Sequence, residues 1–481
     1  MTLLRRLFVT QPHDSTRSGE GPPLRRALGV PSLICVGLGT MLGGIFAAIG
    51  VGTLKAGPGV IASFLLSGLA CFFVSLCYAE LASMVPIAGS AYTYAYATLG
   101  EIVAWVIGWD LILEYGVSVA PIAASWSGTL QLKLADAHIT LPQWAQVAHL
   151  SFSHGSLDMV HSQVDVLAIA IVVFLTALLA IGIRESAGAN TTLVIVQVVA
   201  IVIFIGGLVG AIHPQNFHPS FPHGMPGVVA GAAAAFFAYI GFDTVTVASE
   251  EARRPARDVP IAVVGSLLLG AVLYIGIAWV TVGVVPWAHI DPNAGMTDAV
   301  RRAGNNPFVA WVTFIAVMAG TTTVMLTSLL GQIRIFYVMA RDRMLPPAVA
   351  RVNRLTATPL VPTIVVGLIV AILAGIVPID IGIALTNIGT LSAFTIVCAG
   401  VFVLRTTKPF VDRPFRAPLG KVTAVIGAAL CLYLMIGGLS GGTWLRFIIW
   451  FAVGMVFYVL YGYRHSLLNQ PESRARTGGI V

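Results

Sequence analysis

Two glycine-containing segments interrupt long apolar stretches of this chain. Residues 37–44 read Gly-Leu-Gly-Thr-Met-Leu-Gly-Gly, and residues 239–243 read Tyr-Ile-Gly-Phe-Asp. Each segment lies in a stretch long enough to cross a bilayer as a helix, which requires about 20 apolar residues. Paired interruptions at corresponding positions are typical of discontinuous membrane helices that bind a solute near the bilayer midplane. The two segments therefore predict a membrane protein in which helices 1 and 6 are broken around a binding site.

The composition agrees with this interpretation. Of 481 residues, 57% are apolar and 10% are charged, whereas soluble domains carry about 25% charged residues. So few charges cannot cover a soluble surface, which excludes a soluble enzyme or a disordered protein as a first interpretation. The net charge of +7 does not indicate nucleic acid, because most basic residues fall in loops on one side of the apolar stretches. That asymmetry is an orientation signal and predicts that both termini are cytoplasmic.

The number of apolar stretches predicts an all-α integral membrane protein with 12 transmembrane helices. The stretches cover residues 32–52, 59–85, 102–127, 164–183, 191–212, 228–248, 261–285, 307–330, 361–377, 381–404, 419–439 and 444–463. Five helices separate one interruption from the next, so the two halves are expected to lie inverted in the membrane. The predicted division is an N-terminal tail (1–31), a first inverted repeat of helices 1–5 (32–212), a second of helices 6–10 (226–405), helices 11 and 12 (419–463) and a C-terminal tail (464–481).

The chemistry of the two breaks favours an amino acid. Backbone groups left without helical partners in hydrocarbon are costly unless something else satisfies them. Amides that follow the glycines of helix 1 suit a carboxylate, and carbonyls freed in helices 1 and 6 suit an ammonium group. A zwitterion presents both groups. The alternative interpretation is that the glycines only let helices pack closely.

Three carboxylates fall inside the apolar stretches. Asp110 and Glu114 are four residues apart on helix 3, and Asp243 lies beside the helix 6 break. Ionisable groups at this depth are expensive and usually functional. They are interpreted as a negative wall for a cationic solute, a proton relay or a structural pair. Glu80 and Glu101 lie near the predicted cytoplasmic interface, where we expect ion pairs with nearby arginines such as Arg253 or a solvated face.

The five cysteines lie within apolar stretches without metal-ligand spacing, so they are interpreted as core residues. We therefore predict no metal, no cofactor and no catalytic residue. A membrane-embedded enzyme would need a nucleophile–base pair or a metal cluster, but the apolar stretches contain no histidine. That alternative is disfavoured.

Several motifs together resemble those of a known transporter family. They are Gly44-Ile-Phe46, Cys77-Tyr-Ala-Glu-Leu81, Pro86-Ile-Ala-Gly-Ser-Ala-Tyr92, Gly108-Trp-Asp-Leu-Ile-Leu-Glu-Tyr115, Phe237-Ala-Tyr-Ile-Gly-Phe-Asp243 with Glu250-Glu-Ala-Arg253, Gln332-Ile-Arg-Ile-Phe336, Met339-Ala-Arg-Asp342 and Asn387-Ile-Gly-Thr-Leu391. The sequence resembles bacterial members of the amino acid–polyamine–organocation superfamily, specifically the cationic amino acid transporter family. The match covers about residues 24–463.

The resemblance implies a five-plus-five inverted-repeat fold with two further helices, alternating access, and a substrate held between helices 1, 3, 6 and 8. It implies carboxylate contacts from Thr40, Met41, Leu42, Gly43 and Gly44, and ammonium contacts from carbonyls near Ile34, Gly37, Phe237, Ala238 and Ile240. Phe237 and Tyr239 would line the site or its gate. Thr321 would leave room for a long side chain, whose cationic end Glu114 would face.

Two departures from the family pattern bear on mechanism. Gly43 and Gly44 are adjacent, one residue short of the usual spacing, which would turn one side of the break by about 100° relative to the other. Gln197 occupies a position where many bacterial relatives have a coupling lysine, and an amide cannot titrate. Proton coupling through Gln197 is therefore excluded, which favours uniport or exchange. Asp110, Glu114 and Asp243 remain as candidate proton carriers.

We therefore expect a transporter of cationic or a broad range of L-amino acids in the cytoplasmic membrane. Its expected partners are the amino acid, the lipid bilayer and, as a candidate, protons. The alternative is a sensor that binds an amino acid without transporting it, an interpretation favoured by the shortened glycine run of helix 1.

Overall fold

The structure, a computed structural model, describes residues 27–84, 91–98, 100–148, 152–153, 156–157, 163–182, 187–304, 306–351 and 358–466. Most of the predicted N-terminal and C-terminal tails lies outside these residues, as do the residues 86–90 of one family motif. Nearly every described element is a helix. A hairpin of two short strands, Phe152–Ser153 and Ser156–Leu157, is the exception.

Helical elements follow the predicted apolar stretches in order. They are α1 (Val30–Ala56), α2 (Val60–Met84), α3 (Glu101–Leu111, then a π-helical segment Ile112–Val117, then Val119–Asp136), α4 (Val166–Ile181), α5 (Ala187–Leu208), α6 (Gly224–Tyr239, resuming at Thr244–Val247), α7 (Pro255–Val284), α8 (Pro307–Arg341), α9 (Leu360–Ile376), α10 (Ile379–Thr407), α11 (Lys421–Gly438) and α12 (Gly441–Phe457, then a π-helical segment Tyr458–Gly462). Short helices cover Ala91–Thr98, Gly295–Arg302 and Tyr463–His465.

By length and composition, nine helical segments of the described residues could cross a membrane. The first, Val30–Met84, contains both α1 and α2, joined by a single turn at Gly57–Gly59. Helices α4 and α9 are apolar but shorter, with 16 and 17 residues. The helical membrane architecture is thus confirmed, while 12 crossings and the inverted repeat stay predictions.

Burial separates central helices from peripheral ones. Almost every residue of α6 between Gly227 and Tyr239 is buried, and a helix that is apolar all round belongs in the interior of a bundle. Helix α9 instead exposes Val361, Leu368 and Ile372 on one side and packs its glycine face on α4. Apolar side chains exposed along such a helix suit contact with lipid tails.

Helix α6 is broken, as the sequence predicts. Its first part ends at Tyr239, Ile240 has an extended backbone with ψ 134°, and the helix resumes at Thr244. Gly241 has φ +111°, a conformation that a residue without Cβ adopts at little cost. The glycine therefore permits the break at this position.

Helix α1 is continuous from Val30 to Ala56, so the predicted discontinuity of helix 1 is wrong. Its glycines serve close packing, the alternative interpretation of the sequence. A Cβ added at Gly44 would lie 2.9 Å from the Phe237 carbonyl oxygen of α6, and one at Gly43 would lie 2.9 Å from the Gly320 carbonyl oxygen of α8. Because consecutive residues of a helix point about 100° apart, the adjacent glycines let α6 and α8 approach α1 from two directions.

Candidate functional site

The two ends of the α6 break are joined to α1 through one threonine. The hydroxyl oxygen of Thr40 lies 2.8 Å from the Gly241 carbonyl oxygen and 2.9 Å from the Thr244 hydroxyl oxygen. The Thr244 hydroxyl also donates to the Gly241 carbonyl, at 2.6 Å. These contacts satisfy polar groups that the break would otherwise leave unpaired in an apolar environment.

A tyrosine of α7 already donates a hydrogen bond to one of the carbonyls predicted to bind the substrate ammonium group. The Tyr274 hydroxyl donates to the Ala238 carbonyl at 2.9 Å, and the Tyr239 hydroxyl donates to the Phe64 carbonyl at 2.9 Å. The sequence-based predictions do not include Tyr274. A polar aromatic residue in an otherwise apolar stretch is the signal that could have identified it, since a buried hydroxyl needs a partner.

The residues predicted to bind the substrate carboxylate lie within the continuous helix. Met41, Leu42, Gly43 and Gly44 are buried, and backbone amides inside an α-helix donate to carbonyls four residues earlier. Gly44 lies against Phe237 and Ala238, so these predicted residues of α1 and α6 come together. In this conformation the α1 amides are engaged within the helix.

Other predicted substrate contacts face different neighbours. The Thr321 hydroxyl is buried and donates to the Val317 carbonyl of its own helix at 2.6 Å. A Cβ added at Gly37 would lie 2.6 Å from the Ser266 hydroxyl oxygen of α7. Ile34 of α1 packs against Gly265, which also lies on α7. The N-terminal half of α1 therefore contacts α7, while its middle contacts α6 and α8.

The three predicted carboxylates are buried. Asp110, Glu114 and Asp243 are at most 3% exposed, and their carboxylate oxygens make no hydrogen bond of normal geometry to a described residue. The side chain of Ser392 lies beside Asp110, and that of Thr390 lies beside Glu114. Glu114 lies near enough to Asp243 and Asp110 for electrostatic repulsion. It lies in the π-helical segment of α3, an irregularity that is frequent at functional sites.

Further polar side chains without partners surround these carboxylates. The Tyr78 hydroxyl of α2 and the Gln332 amide of α8 are buried and lack hydrogen-bond partners among the described residues. Tyr78 lies within electrostatic range of Asp243 and Glu114, and a Cβ added at Gly116 would lie 3.1 Å from the Gln332 side-chain oxygen. Unsatisfied buried polar groups are costly and often mark a function. Both residues lie in family motifs, Cys77–Leu81 and Gln332–Phe336, but the sequence alone does not assign them to the site.

Gln197 of α5 is also buried, with neither amide atom hydrogen-bonded among the described residues. A Cβ added at Gly320 would lie 3.2 Å from its amide nitrogen. This places the side chain against α8, one residue from Thr321. It is therefore close to the α1–α8 contact.

The acidic residues near the predicted cytoplasmic interface have other partners than expected. Glu80 is 1% exposed and accepts a hydrogen bond from Arg405 Nε at 2.9 Å, with Arg413 Nε 3.3 Å from the same carboxylate. Glu101 is buried and accepts hydrogen bonds from Tyr458 and Ser466. A solvated face is therefore wrong for both residues. The arginines that pair with Glu80 come from α10 and the loop after it.

Comparison with known proteins agrees with this architecture. A family model described as amino acid permease matches residues 28–462. A branched-chain amino acid permease of Bacillus subtilis is 39% identical over 94% of this chain and 96% of its own length. A methylthioribose transporter of the same organism is 38% identical over 96% of this chain and 99% of its own. A vacuolar cationic amino acid transporter of Arabidopsis thaliana is 38% identical over 85% of this chain and 64% of its own.

These matches confirm the resemblance drawn from the motifs. The family consists of transporters, and its members are embedded in membranes through many helices. The chain therefore belongs to the amino acid permease family of the amino acid–polyamine–organocation superfamily and is a multi-pass membrane protein.

Proposed function

We propose that this protein is a secondary transporter that moves L-amino acids across the cytoplasmic membrane by alternating access, with both termini in the cytoplasm. The observation that carries the proposal is the α6 break, which Thr40 joins to α1 and which lies near buried carboxylates that make no hydrogen bond of normal geometry to a described residue. Such groups gain more from binding a polar solute than from remaining unpaired. The two five-helix repeats, 32–212 and 226–405, belong to this proposal.

The substrate ammonium group would bind carbonyls near Ile34, Gly37, Phe237, Ala238 and Ile240, with Phe237 and Tyr239 lining the site. Its carboxylate would bind amides between Thr40 and Gly44. Those amides become available only when α1 unwinds locally. Each glycine lowers helix stability by about 1 kcal/mol relative to alanine. The four glycines of residues 37–44 therefore make local unwinding about 4 kcal/mol less costly than it would be with alanine at the same positions.

Glu114 would determine the preference for the charge of the substrate side chain, and the space beside Thr321 would determine the length of side chain that fits. An ionised Glu114 favours the cationic end of arginine, ornithine or lysine, in line with relatives named as cationic amino acid transporters. A branched-chain permease relative supports a range that includes neutral amino acids. A second candidate substrate is methylthioribose, because the relative named for it matches nearly the full length of both chains.

If transport is coupled to protons, the candidate proton carriers are Asp110, Asp243 and the neighbouring Glu114. The other possibility is transport without proton coupling. Gln197 cannot carry a proton. Uniport and exchange therefore need no further residue, whereas proton symport requires at least one of the buried carboxylates to titrate during the cycle.

A competition panel tests the proposal. Purified protein in liposomes is assayed for uptake of radiolabelled leucine and arginine against each of the twenty amino acids and methylthioribose, with and without an imposed proton gradient. Uptake or exchange of an amino acid supports a transporter, and stimulation by the gradient supports coupling. Saturable binding without transport favours the sensor. Absence of both contradicts the proposal, and uptake of radiolabelled methylthioribose without uptake of leucine or arginine favours the second substrate.

A further inference from the structure

A cavity of about 490 Å³ opens at the end of the bundle that the charge asymmetry predicts to face outward. Its walls come from the last turns of α1, the loop after α3, the loop before the short helix Gly295–Arg302 and the turn before α10. Cavities of about 300–1,000 Å³ are typical of small-molecule sites. The cavity therefore has the size for a small metabolite and draws on both halves of the chain.

Two opposite charges line this cavity. Lys55 lies near the end of α1 and Asp380 near the start of α10, and the two interact electrostatically. No ion pair within 4 Å joins either of them to a described residue. Within the part of the chain that the structure describes, neither charge is held in a close ion pair, and the two together give the lining no net charge.

A third polar group is buried in the wall. Asn293 is 9% exposed, and its side-chain oxygen has no hydrogen-bond partner among the described residues. Its backbone is fixed, because the Asp291 carboxylate accepts a hydrogen bond from the Asn293 amide at 2.7 Å. A Cβ added at Gly128 of α3 would lie 2.7 Å from Asn293 Cβ. A buried acceptor without a partner gains from a donor that a ligand supplies.

The remaining wall is largely apolar, with Val51 and Leu54 of α1 and Ile379 of α10. Lys55 lies eleven residues beyond Gly44, so a rise of 1.5 Å per residue puts it about 16 Å along the helix from the α1–α6 contact. The cavity is therefore separate from the site between α1, α3, α6 and α8.

We propose that this outer cavity is a second binding site for a zwitterionic amino acid with an apolar side chain. Lys55 would bind the carboxylate, and Asp380 with the Asn293 side-chain oxygen would bind the ammonium group. Val51, Leu54 and Ile379 would contact the side chain. Because the charges of Lys55 and Asp380 cancel, the site would prefer neutral amino acids to cationic ones. The inference rests on the proposed function, since it assumes that amino acids are the solutes this protein meets.

Binding stoichiometry tests the proposal. Full-length protein in lipid nanodiscs is titrated with radiolabelled L-leucine, and the expected result is two bound molecules per chain. Lys55→Gln and, separately, Asp380→Asn are each expected to weaken the outer site at least tenfold, so that one molecule per chain remains over the same concentration range. That remaining molecule shows that the variant is folded.

Lys133→Gln is the matched control, because Lys133 lies over the Trp311 ring and does not line the cavity. It is expected to keep two sites. L-arginine is expected to bind at one site in the unmodified protein. One leucine per chain, unchanged by both cavity substitutions, would overturn the outer site while leaving the proposed function intact. Absence of any amino acid binding to the unmodified protein would overturn the proposed function itself.

Discussion

The hydroxyl oxygen of Thr40 lies 2.8 Å from the carbonyl oxygen of Gly241, 201 positions further along the chain. This contact joins the middle of the continuous helix α1 to the break in α6. Any movement that separates α1 from α6 must break this contact and give both groups other hydrogen-bond partners. We therefore treat Thr40 as the residue through which movement of α1 is transmitted to the α6 break.

Thr40→Val removes the hydroxyl and keeps the branched shape. Loss of one net hydrogen bond is expected to cost about 1 kcal/mol of stability and to lower the initial rate of amino acid uptake at least threefold, because the α1–α6 contact changes. Thr40→Ser, which keeps the hydroxyl, is expected to retain both properties. Uptake in proteoliposomes and thermal unfolding measure the two effects. Equal behaviour of the two variants would contradict the role assigned to the hydroxyl.

Gly241→Ala tests the backbone of the break. The residue has φ +111°, and an added Cβ would lie 2.8 Å from the Thr40 hydroxyl oxygen. Strained backbone of this kind costs about 1–3 kcal/mol, so we expect a lower thermal midpoint and a lower yield of monodisperse protein. Gly206→Ala on α5 is the control, since nothing lies within 4 Å of an added Cβ there. A similar loss for both variants would argue against the break as the cause.

Glu114→Gln tests charge recognition in the central site. The variant is expected to reduce uptake of L-arginine about tenfold, equivalent to about 1.4 kcal/mol of binding free energy, and to change L-leucine uptake by less than about threefold. Glu101→Gln serves as a control, because Glu101 is a buried carboxylate of α3 that binds Tyr458 and Ser466. Equal losses for arginine and leucine would count against a role in charge recognition.

Glu80→Gln leaves Arg405 and Arg413 without their buried carboxylate. Breaking a buried ion pair costs about 3–5 kcal/mol, so a large fall in the thermal midpoint is expected. Asp136→Asn breaks an exposed ion pair, in which Arg301 Nε lies 3.2 Å from Asp136 Oδ1. Exposed pairs contribute about 0–1 kcal/mol, so this control is expected to unfold close to the unmodified protein. A small effect of Glu80→Gln would show that water reaches Glu80 and its two arginines.

Asp291, in the loop between α7 and the short helix Gly295–Arg302, predicts a dependence of stability on pH. Burial raises the pKa of its carboxyl above the ordinary value of 3.8, Asp298 acts in the same direction, and the amides of Asn293 and Ala294 act against it. Since the folded pKa is higher than the unfolded one, the stability from this group is complete below pH 3.8 and is lost as pH rises through the folded pKa.

Asp291→Asn keeps an acceptor oxygen for both amides and cannot ionise. The variant is therefore expected to unfold at a higher temperature than the unmodified protein at pH 8, and at nearly the same temperature near pH 4. Thermal unfolding in detergent at the two pH values measures this difference. A shift that is the same at both pH values would contradict the assignment to ionisation of Asp291.

Local sequence patterns determined much of the architecture. Apolar stretches predicted the positions of α1–α12 because the length of a helix in hydrocarbon depends on consecutive residues. Gly241 predicted the α6 break, since a positive φ is a property of one residue. The motifs predicted the family. Asp110, Glu114 and Asp243 were identified as buried carboxylates because any charge in an apolar stretch is conspicuous.

Tertiary packing alone decided the remainder. The glycines of residues 37–44 allow either a broken helix or close packing, and the structure has a continuous α1 with α6 and α8 packed against Gly44 and Gly43. Glu80 finds Arg405 325 positions away, and Tyr274 reaches the Ala238 carbonyl from another helix. Lys55 and Asp380 share a cavity only because the ends of α1 and α10 meet. The physical reason is that hydropathy acts along the chain, whereas hydrogen bonds and charge pairs between helices depend on where the whole bundle places their atoms.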